Sequence, residues 1–532
     1  MKKKIIGILL SSALIFSMGV STFAAEAESE GAVSGSVVVS KTEGVTDTTH
    51  GMVRGFIDDG TYTFRGIPYA KAERFEMPEA PDSWDGIRNC LVYGPTALIT
   101  HMSEPDGGDF IIPHRYWAQS ETCQNLNVWT QSLDSTAKKP VLVWFHGGGF
   151  TNGSAIEGVA YDGKNLSEYG DVVVVTVNHR LNALGYLDLS QYGEEYQYSG
   201  NAGTADLVAS LQWVQDNIAN FGGDPDNVTI FGQSGGGGKV LSMLAAPTAE
   251  GLYDKAIVQS GSEKYIDKET AEKVTSKTLE ILGLTGDQID ELKEVSYDDL
   301  NAATSQALQQ IGEEIGTSLS WRPVLDEDYI KSEFQEWTKD VPVIAGTVFG
   351  EMNCWECLDP NAENKNSWTE ETVSEKLEEK YGENAEAVKD AFLKAYPEKK
   401  ACDAYYVANR TSYLKTFSKR IESGATENYC YLVSYESPLD GGVNLWHCGE
   451  IPFVFHNVEL VEGAYGGSQD AYNLQEVMAS AWVNFARTGN PNGENVPTWS
   501  TYTDDNKSTM VFDTTSGERI DFDAELQELI SK

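Results

Sequence analysis

Val228-Thr229-Ile230-Phe231 runs directly into Gly232-Gln233-Ser234-Gly235-Gly236. A β-branched and aromatic run followed by G-x-S-x-G predicts a strand that turns sharply into a helix with a serine at its apex. Side chains two positions either side of such a serine would collide with neighbouring backbone, which gives Gly232 and Gly236 a steric reason to be there. The strain of the turn exposes Oγ, so Ser234 is the candidate nucleophile. The helix after it would contribute its positive end and the Gly235 N–H, both aimed where charge develops on an attacked carbonyl. Glycine-serine turns are also ordinary loop punctuation, so the pentapeptide does not decide the matter by itself.

A second buried-strand pattern, Val141-Leu142-Val143-Trp144-Phe145, ends in His146-Gly147-Gly148-Gly149-Phe150. Consecutive glycines allow close approach of the main chain to a substrate, and Gly148 and Gly149 would join Gly235 as oxyanion donors. A phosphate cradle is the competing reading of a glycine loop, and the absence of a following G-K-[ST] disfavours it. A strand and glycine loop upstream of a G-x-S-x-G elbow is the order required by an α/β-hydrolase fold, with a mostly parallel twisted sheet flanked by helices.

A serine hydroxyl needs a base, and the base needs an acid to fix its tautomer. The chain has seven histidines: His50, His101, His114, His146, His179, His447 and His456. Only His447 and His456 lie late enough for the order serine, acid, histidine. His456 ends an aromatic run that reads as core, so His447, where a loop meets an apolar segment, is the better base. Val341-Pro342-Val343-Ile344-Ala345 reads as another core strand, and Glu351 comes after it at the expected C-terminal rim. Spacing alone does not select this glutamate among 81 acidic residues, most of which must be solvated surface charges.

Taken together, the motifs resemble those of the type B carboxylesterases, the family of the cholinesterases and para-nitrobenzyl esterases. Phe64-Arg65-Gly66-Ile67-Pro68-Tyr69-Ala70 is similar to the family's opening strand, and Ser120-Glu121-Thr122-Cys123-Gln124-Asn125-Leu126-Asn127-Val128 to its SEDCLYLNV signature. Asn201-Ala202-Gly203, Asp206, Trp213, Asn217 and Phe221-Gly222-Gly223-Asp224-Pro225 resemble the approach to the family elbow, and Gln259-Ser260-Gly261-Ser262 the strand after it. The resemblance implies a triad of Ser234, Glu351 and His447. It also implies ion pairs Arg74 with Glu121 and Arg180 with Asp206, both supporting the fold, and a disulfide between Cys90 and Cys123. Departures are informative too. Gln233 stands where cholinesterases carry glutamate, which argues against choline esters, Gly235 replaces the usual alanine, and Met352-Asn353 come after the acid where glycine is usual.

The chain has 532 residues, 41% of them apolar, enough for a large core. Its strand and glycine signals form one continuous series spanned by the candidate site, which predicts a single domain over 41–532. Helical spacing appears over Ala271 to Leu282, Asp287 to Leu292, Thr369 to Tyr381 and Gln475 to Ala486. Residues 1–24, three lysines and then a short apolar stretch from Ile5 to Val20, read as a secretory signal, and 25–40 as an acidic glycine-serine linker. The mature protein would then be secreted without a stable membrane anchor. Without the leader, 36 basic residues face 81 acidic ones, a net −45 that repels nucleic acid and anionic membranes.

Of the remaining cysteines, Cys354 and Cys357 form a CxxC lacking the second pair or histidines of a zinc site, and Cys448 abuts His447. No metal or organic cofactor is implied. The expected activity is hydrolysis of small-molecule carboxylic esters through an acyl-enzyme. Two rivals are a non-catalytic binding or adhesion protein on the same scaffold and an interfacial lipase.

Overall fold

The strand behind Ser234 lies at the middle of a twelve-stranded sheet. The computed structural model of the chain describes residues 36–99, 111–354 and 361–532. In chain order the strands are β1 Val37–Val38, β2 Phe56–Asp58, β3 Thr61–Pro68, β4 Asn125–Thr130, β5 Lys139–Phe145 and β6 Val173–Val177. Then come β7 Gly223–Gln233, β8 Lys255–Gln259, β9 Val343–Val348, β10 Asn428–Val433, β11 Ser508–Phe512 and β12 Gly517–Ile520. Their spatial order is β1-β2-β3-β4-β6-β5-β7-β8-β9-β10-β11-β12. The centre, from β6 to β11, is wholly parallel, and antiparallel strands extend it on both sides.

Alternation along the central strands divides the interior in two, because successive side chains leave a strand on opposite faces. Val141, Val143, Phe145, Val228, Ile230 and Val258 enter one core; Leu142, Trp144, Phe231 and Ile257 enter the other. Strands buried on both faces read as continuous apolar runs, which is why β5, β7 and β9 are conspicuous in the sequence. Each such buried aliphatic or aromatic side chain contributes about 1.5–3 kcal/mol.

Among the covering helices are α1 Ala202–Asn217, α2 Gly235–Ala245, α3 Lys268–Leu282, α4 Tyr297–Ile315, α5 Glu370–Tyr381 and α6 Gln469–Thr488. Their ends obey capping chemistry. Asp267 accepts the Thr270 N–H at 2.9 Å to open α3, Ser296 accepts the Asp299 N–H at 3.1 Å to open α4, and Ser468 accepts the Ala471 N–H at 3.2 Å to open α6. Left-handed Gly283, Gly316 and Gly489 close them. The stretch Asp287 to Leu292 lies in a 3-10 helix, Gly286–Lys293, rather than an α-helix.

Residues Val37–Lys532 form one compact unit. The proposed leader and most of the linker lie outside the described residues. The linker stops short of Ser40, because Val37 and Val38 pair with Asp58 and Ile57 at the sheet edge, as a β-branched run favours. Both implied ion pairs are present. Arg74 holds Glu121 through Nε at 2.7 Å, and buried Arg180 grips Asp206 through two bonds of 2.9 and 2.7 Å, tying the loop after β6 to α1. Cys90 and Cys123 do not form the implied disulfide. Cys90 is a thiol packed into the main core and Cys123 a thiol packed with Ala97 and Leu181, each in its own apolar pocket. Burial pushes the Cys90 thiol up to about 12 and raises that of Cys123 further, so neither supplies a thiolate at neutral pH.

Candidate active site

β7 ends at Gln233 and α2 begins at Gly235, so Ser234 occupies the turn alone, with φ 58° and ψ −122°. That conformation costs a non-glycine residue about 1–3 kcal/mol and persists only where surroundings enforce it. Two bonds do so: the Ser234 N–H donates to the Gln259 carbonyl at 2.8 Å, and the Ser234 carbonyl accepts from Gly238 N–H at 3.0 Å. The flanking glycines are needed as expected. A Cβ on Gly232 would stand 2.6 Å from the Gly236 carbonyl oxygen, and one on Gly236 would run into the Phe145 carbonyl.

The glycine loop after β5 reaches over this turn. Gly149 and Gly235 both line a cavity of about 240 Å³ together with Ser234 and His447. As the first residue of α2, Gly235 has an N–H without an intrahelical acceptor, free to point at a ligand. Gly148 is not on the cavity wall. Its φ of 80° makes the turn, and its carbonyl accepts from Thr151 and Asn152 N–H at 3.3 and 2.9 Å. The glycine at 235, where the resemblance leads one to expect alanine, has a local cause: a Cβ there would collide with the Gly149 main chain.

Glu351 lies beyond the end of β9 with φ 46° and is buried. Its Oε1 accepts from Ser260 Oγ at 2.6 Å and from Val348 N–H at 3.0 Å, and its Oε2 is hydrogen-bonded to His447 Nδ1. The His447 N–H donates to the Glu351 carbonyl at 3.2 Å, so main chain and side chains are paired together. Burial opposes the imidazolium, but the charge and hydrogen bond of Glu351 outweigh it and raise His447 above the ordinary histidine value. Beneath lies Gln233, fully buried, whose Nε2 stands 3.5 Å from both ring nitrogens of His447 and whose Oε1 accepts the Cys448 thiol at 3.0 Å.

The other histidines have different settings. His456 stacks on Tyr169 with ring centroids 4.3 Å apart and pairs with Glu476 at 2.8 Å. His114 meets Glu157 at 3.2 Å, and His146 and His179 face each other at 5.1 Å in the interior. His50 sits beside Thr49 near the chain's first strands, and His101, like Cys357, lies outside the described residues.

Two further residues support the site: Ser260 stands in the stretch that resembles the family strand after the elbow, with no role implied there, and Lys239 has no motif to announce it. Ser260 orients the Glu351 carboxylate through its hydroxyl. Lys239, in α2, is fully buried, and its Nζ donates to the His146 carbonyl at 2.8 Å, tying α2 to the start of the glycine loop. Burial, with no carboxylate in contact among the described residues and only the more distant charge of Glu157 to oppose it, lowers this ammonium to about 7.

Comparison with known proteins places this geometry in context. A family model described as "Carboxylesterase family" matches residues 42–528. The chain is 32% identical over 491 residues to the para-nitrobenzyl esterase of Bacillus subtilis (strain 168), covering 89% of this chain and 95% of that one. It is 30% identical over 487 residues to the phenmedipham hydrolase of Pseudarthrobacter oxydans, covering 88% and 95%. Among solved structures, an esterase from anaerobic Clostridium hathewayi, described as able to hydrolyse aliphatic aromatic polyesters, superposes with a TM-score of 0.86. The two are 40% identical, over 93% of this chain and 99% of that one.

Proposed function

The chain belongs to the carboxylesterase family and is a carboxylic-ester hydrolase, and we propose that it works through an acyl-enzyme on a triad of Ser234, His447 and Glu351. One observation carries this reading: a histidine hydrogen-bonded to a buried glutamate shares one cavity with a serine held in a strained strand-to-helix turn. Ser234 Oγ attacks the ester carbonyl while His447 Nε2 takes its proton. Glu351, bonded to Nδ1, fixes the tautomer and stabilises the imidazolium. The tetrahedral oxyanion is received by the Gly149 and Gly235 N–H groups, with Gly148 shaping the loop rather than facing the cavity. Collapse expels the alcohol, which takes the proton from His447. Water then repeats the sequence on the acyl-serine and releases the acid.

Several observations bear on the substrate. The catalytic cavity shares Ser320 and Trp321 with a neighbouring one of about 680 Å³ below the end of α4, room for an ester with a bulky acyl or alcohol arm. The polyester-hydrolysing structural relative supports aryl and alkyl esters of dicarboxylic acids as test substrates. Export under the leader over 1–24 also belongs to the proposal, and N-terminal sequencing of the protein from culture medium tests it. The catalytic assignment is tested by Ser234→Ala, for which turnover of a p-nitrophenyl ester is expected to fall about a million-fold, the scale known for another serine hydrolase. Retention of more than about a tenth of the activity would remove Ser234 from the mechanism.

A further inference from the structure

We infer that the esters this site prefers carry a carboxylate of their own, held by Arg322 and Lys264 on the wall of the catalytic cavity. The inference rests on the esterase reading and adds a substrate class to it.

Acidic residues outnumber basic ones 81 to 39 in this chain, yet the cavity around Ser234 reverses that balance. Arg322 and Lys264 line it, and no aspartate or glutamate among the described residues does. Neither cation has a carboxylate partner among the described residues. Glu263, next in sequence to Lys264, is instead engaged by Lys419 at 2.8 Å.

Arg322 carries most of the weight. It is partly buried, and its one hydrogen bond among the described residues runs from Nε to Ser320 Oγ at 3.4 Å. The two terminal nitrogens of the guanidinium therefore have no acceptor among the described residues, and these form the fork that grips a carboxylate in bidentate fashion. Partly burying a guanidinium without an anion is costly, and burial here does lower its affinity for its proton with nothing to offset it. Elsewhere in this protein, buried guanidinium groups have their terminal nitrogens occupied: Arg180 by Asp206, Arg410 by Asp523, and Arg420 by the carbonyls of Thr338 and Val341. A ligand carboxylate supplies what Arg322 lacks.

Lys264 is exposed and acts at longer range. Its charge is felt at His447, where it opposes the imidazolium, which sets the ammonium near the reacting centre. In a strongly anionic molecule, such a local positive wall draws in an anionic ester that the rest of the surface repels. Trp321 supplies an apolar flank, while Ser262 and Ser320 offer hydroxyls. A hemiester of a dicarboxylic acid fits this lining: an apolar spacer between the reacting carbonyl and a terminal carboxylate. The chemistry is the hydrolysis already described, in which water cleaves the acyl–oxygen bond and releases the diacid and the alcohol.

The test compares kcat/KM for the p-nitrophenyl hemiester of glutaric acid with that for p-nitrophenyl hexanoate, at low and high salt. Acetylated 4-hydroxybenzoate against phenyl acetate places the carboxylate on the leaving side instead. In the wild type the anionic ester of at least one pair is expected to be favoured by about tenfold at low salt, with the preference shrinking as salt rises. Arg322→Gln is expected to cut that preference by about ten- to a hundredfold, from the loss of charge-assisted hydrogen bonds. The exposed Lys264→Gln is expected to cut it by about two- to fivefold, and Arg322→Lys to retain part of it. If Arg322→Gln does not fold, as read by loss of fluorophosphonate labelling, Lys264→Gln and the wild-type salt dependence decide. Neutral esters preferred in both pairs, or a preference indifferent to salt and to the variants that fold, would overturn the inference. No turnover of any of these esters by the wild type would overturn the esterase reading, and this inference with it.

Discussion

Ser260 donates its hydroxyl to Glu351 Oε1 at 2.6 Å, the oxygen that also accepts the Val348 N–H, so that Oε2 is left to His447. The residue lies just past the end of β8, beside the elbow, and its φ of 49° shows that it too is held in an uncommon conformation. Ser260→Ala removes one of two hydrogen bonds that aim the carboxylate. The expected result is a kcat lowered about three- to tenfold with KM within about twofold, since a hydrogen bond to a charged group is at stake and Val348 remains. A rise in KM alone would show that Ser260 serves substrate binding rather than the carboxylate.

The pH profile depends on the same pair. As the proposed base, His447 must be neutral to accept a proton, and Glu351 raises its protonation range above the ordinary 6.5 despite burial. Activity should therefore be present above that raised value and lost as pH falls through it, giving an acid limb at or above about 6.5. Glu351→Gln removes the charge, so the limb should move to lower pH while kcat drops by about 10⁴-fold, as for the equivalent change in a serine protease. An acid limb that stays in place in the glutamine variant would mean that some other group sets it.

Lys239 gives a stability signature in a different window. Its ammonium is lowered from 10.5 to about 7 in the folded chain, so between those values the unfolded chain holds a proton that the folded one has released. The cost of burying the charge is present in full below about 7 and fades as pH rises toward 10.5. Lys239→Met lacks that cost. Its stability relative to the wild type in urea titrations should be greatest near neutrality and decline as pH rises through that window. A difference independent of pH would contradict a buried, partner-poor ammonium.

Gly235→Ala probes the contact between α2 and the glycine loop. The added Cβ meets the Gly149 main chain, so the loop must retreat from the proposed oxyanion position. A misplacement of about 1 Å near the chemistry can cost about 10²-fold, and a kcat reduction of ten- to a hundredfold with intact folding is expected. Wild-type activity in this variant would show that the loop yields without loss.

Much of this arrangement was legible in the residues because the central parallel strands are buried on both faces. β5, β7 and β9 announce themselves as apolar runs, and the glycines at the ends of the first two mark where the backbone must pass close to itself. Chain order and its place where a loop meets an apolar segment single out His447, whereas the choice of Glu351 needs the family resemblance, since nothing local distinguishes that glutamate before the sheet sets β9 beside β8. The roles of Ser260, Lys239 and Arg322 are hidden for the same reason, although Ser260 stands in a stretch that resembles the family: each matters through a partner, or the lack of one, that tertiary packing alone decides. The Cys90–Cys123 expectation failed because the resemblance conveys which residue types are present and not where their side chains pack; here they enter separate apolar clusters.

The central claim, that Ser234 forms the acyl-enzyme, is tested most directly by mass spectrometry of the intact protein and its peptides after reaction with a fluorophosphonate. The account predicts one adduct per chain, located on Ser234, absent from Ser234→Ala and rising in step with loss of esterase activity. An esterase that remains active with Ser234 fully modified, or that is inactivated by modification at another residue, would contradict it.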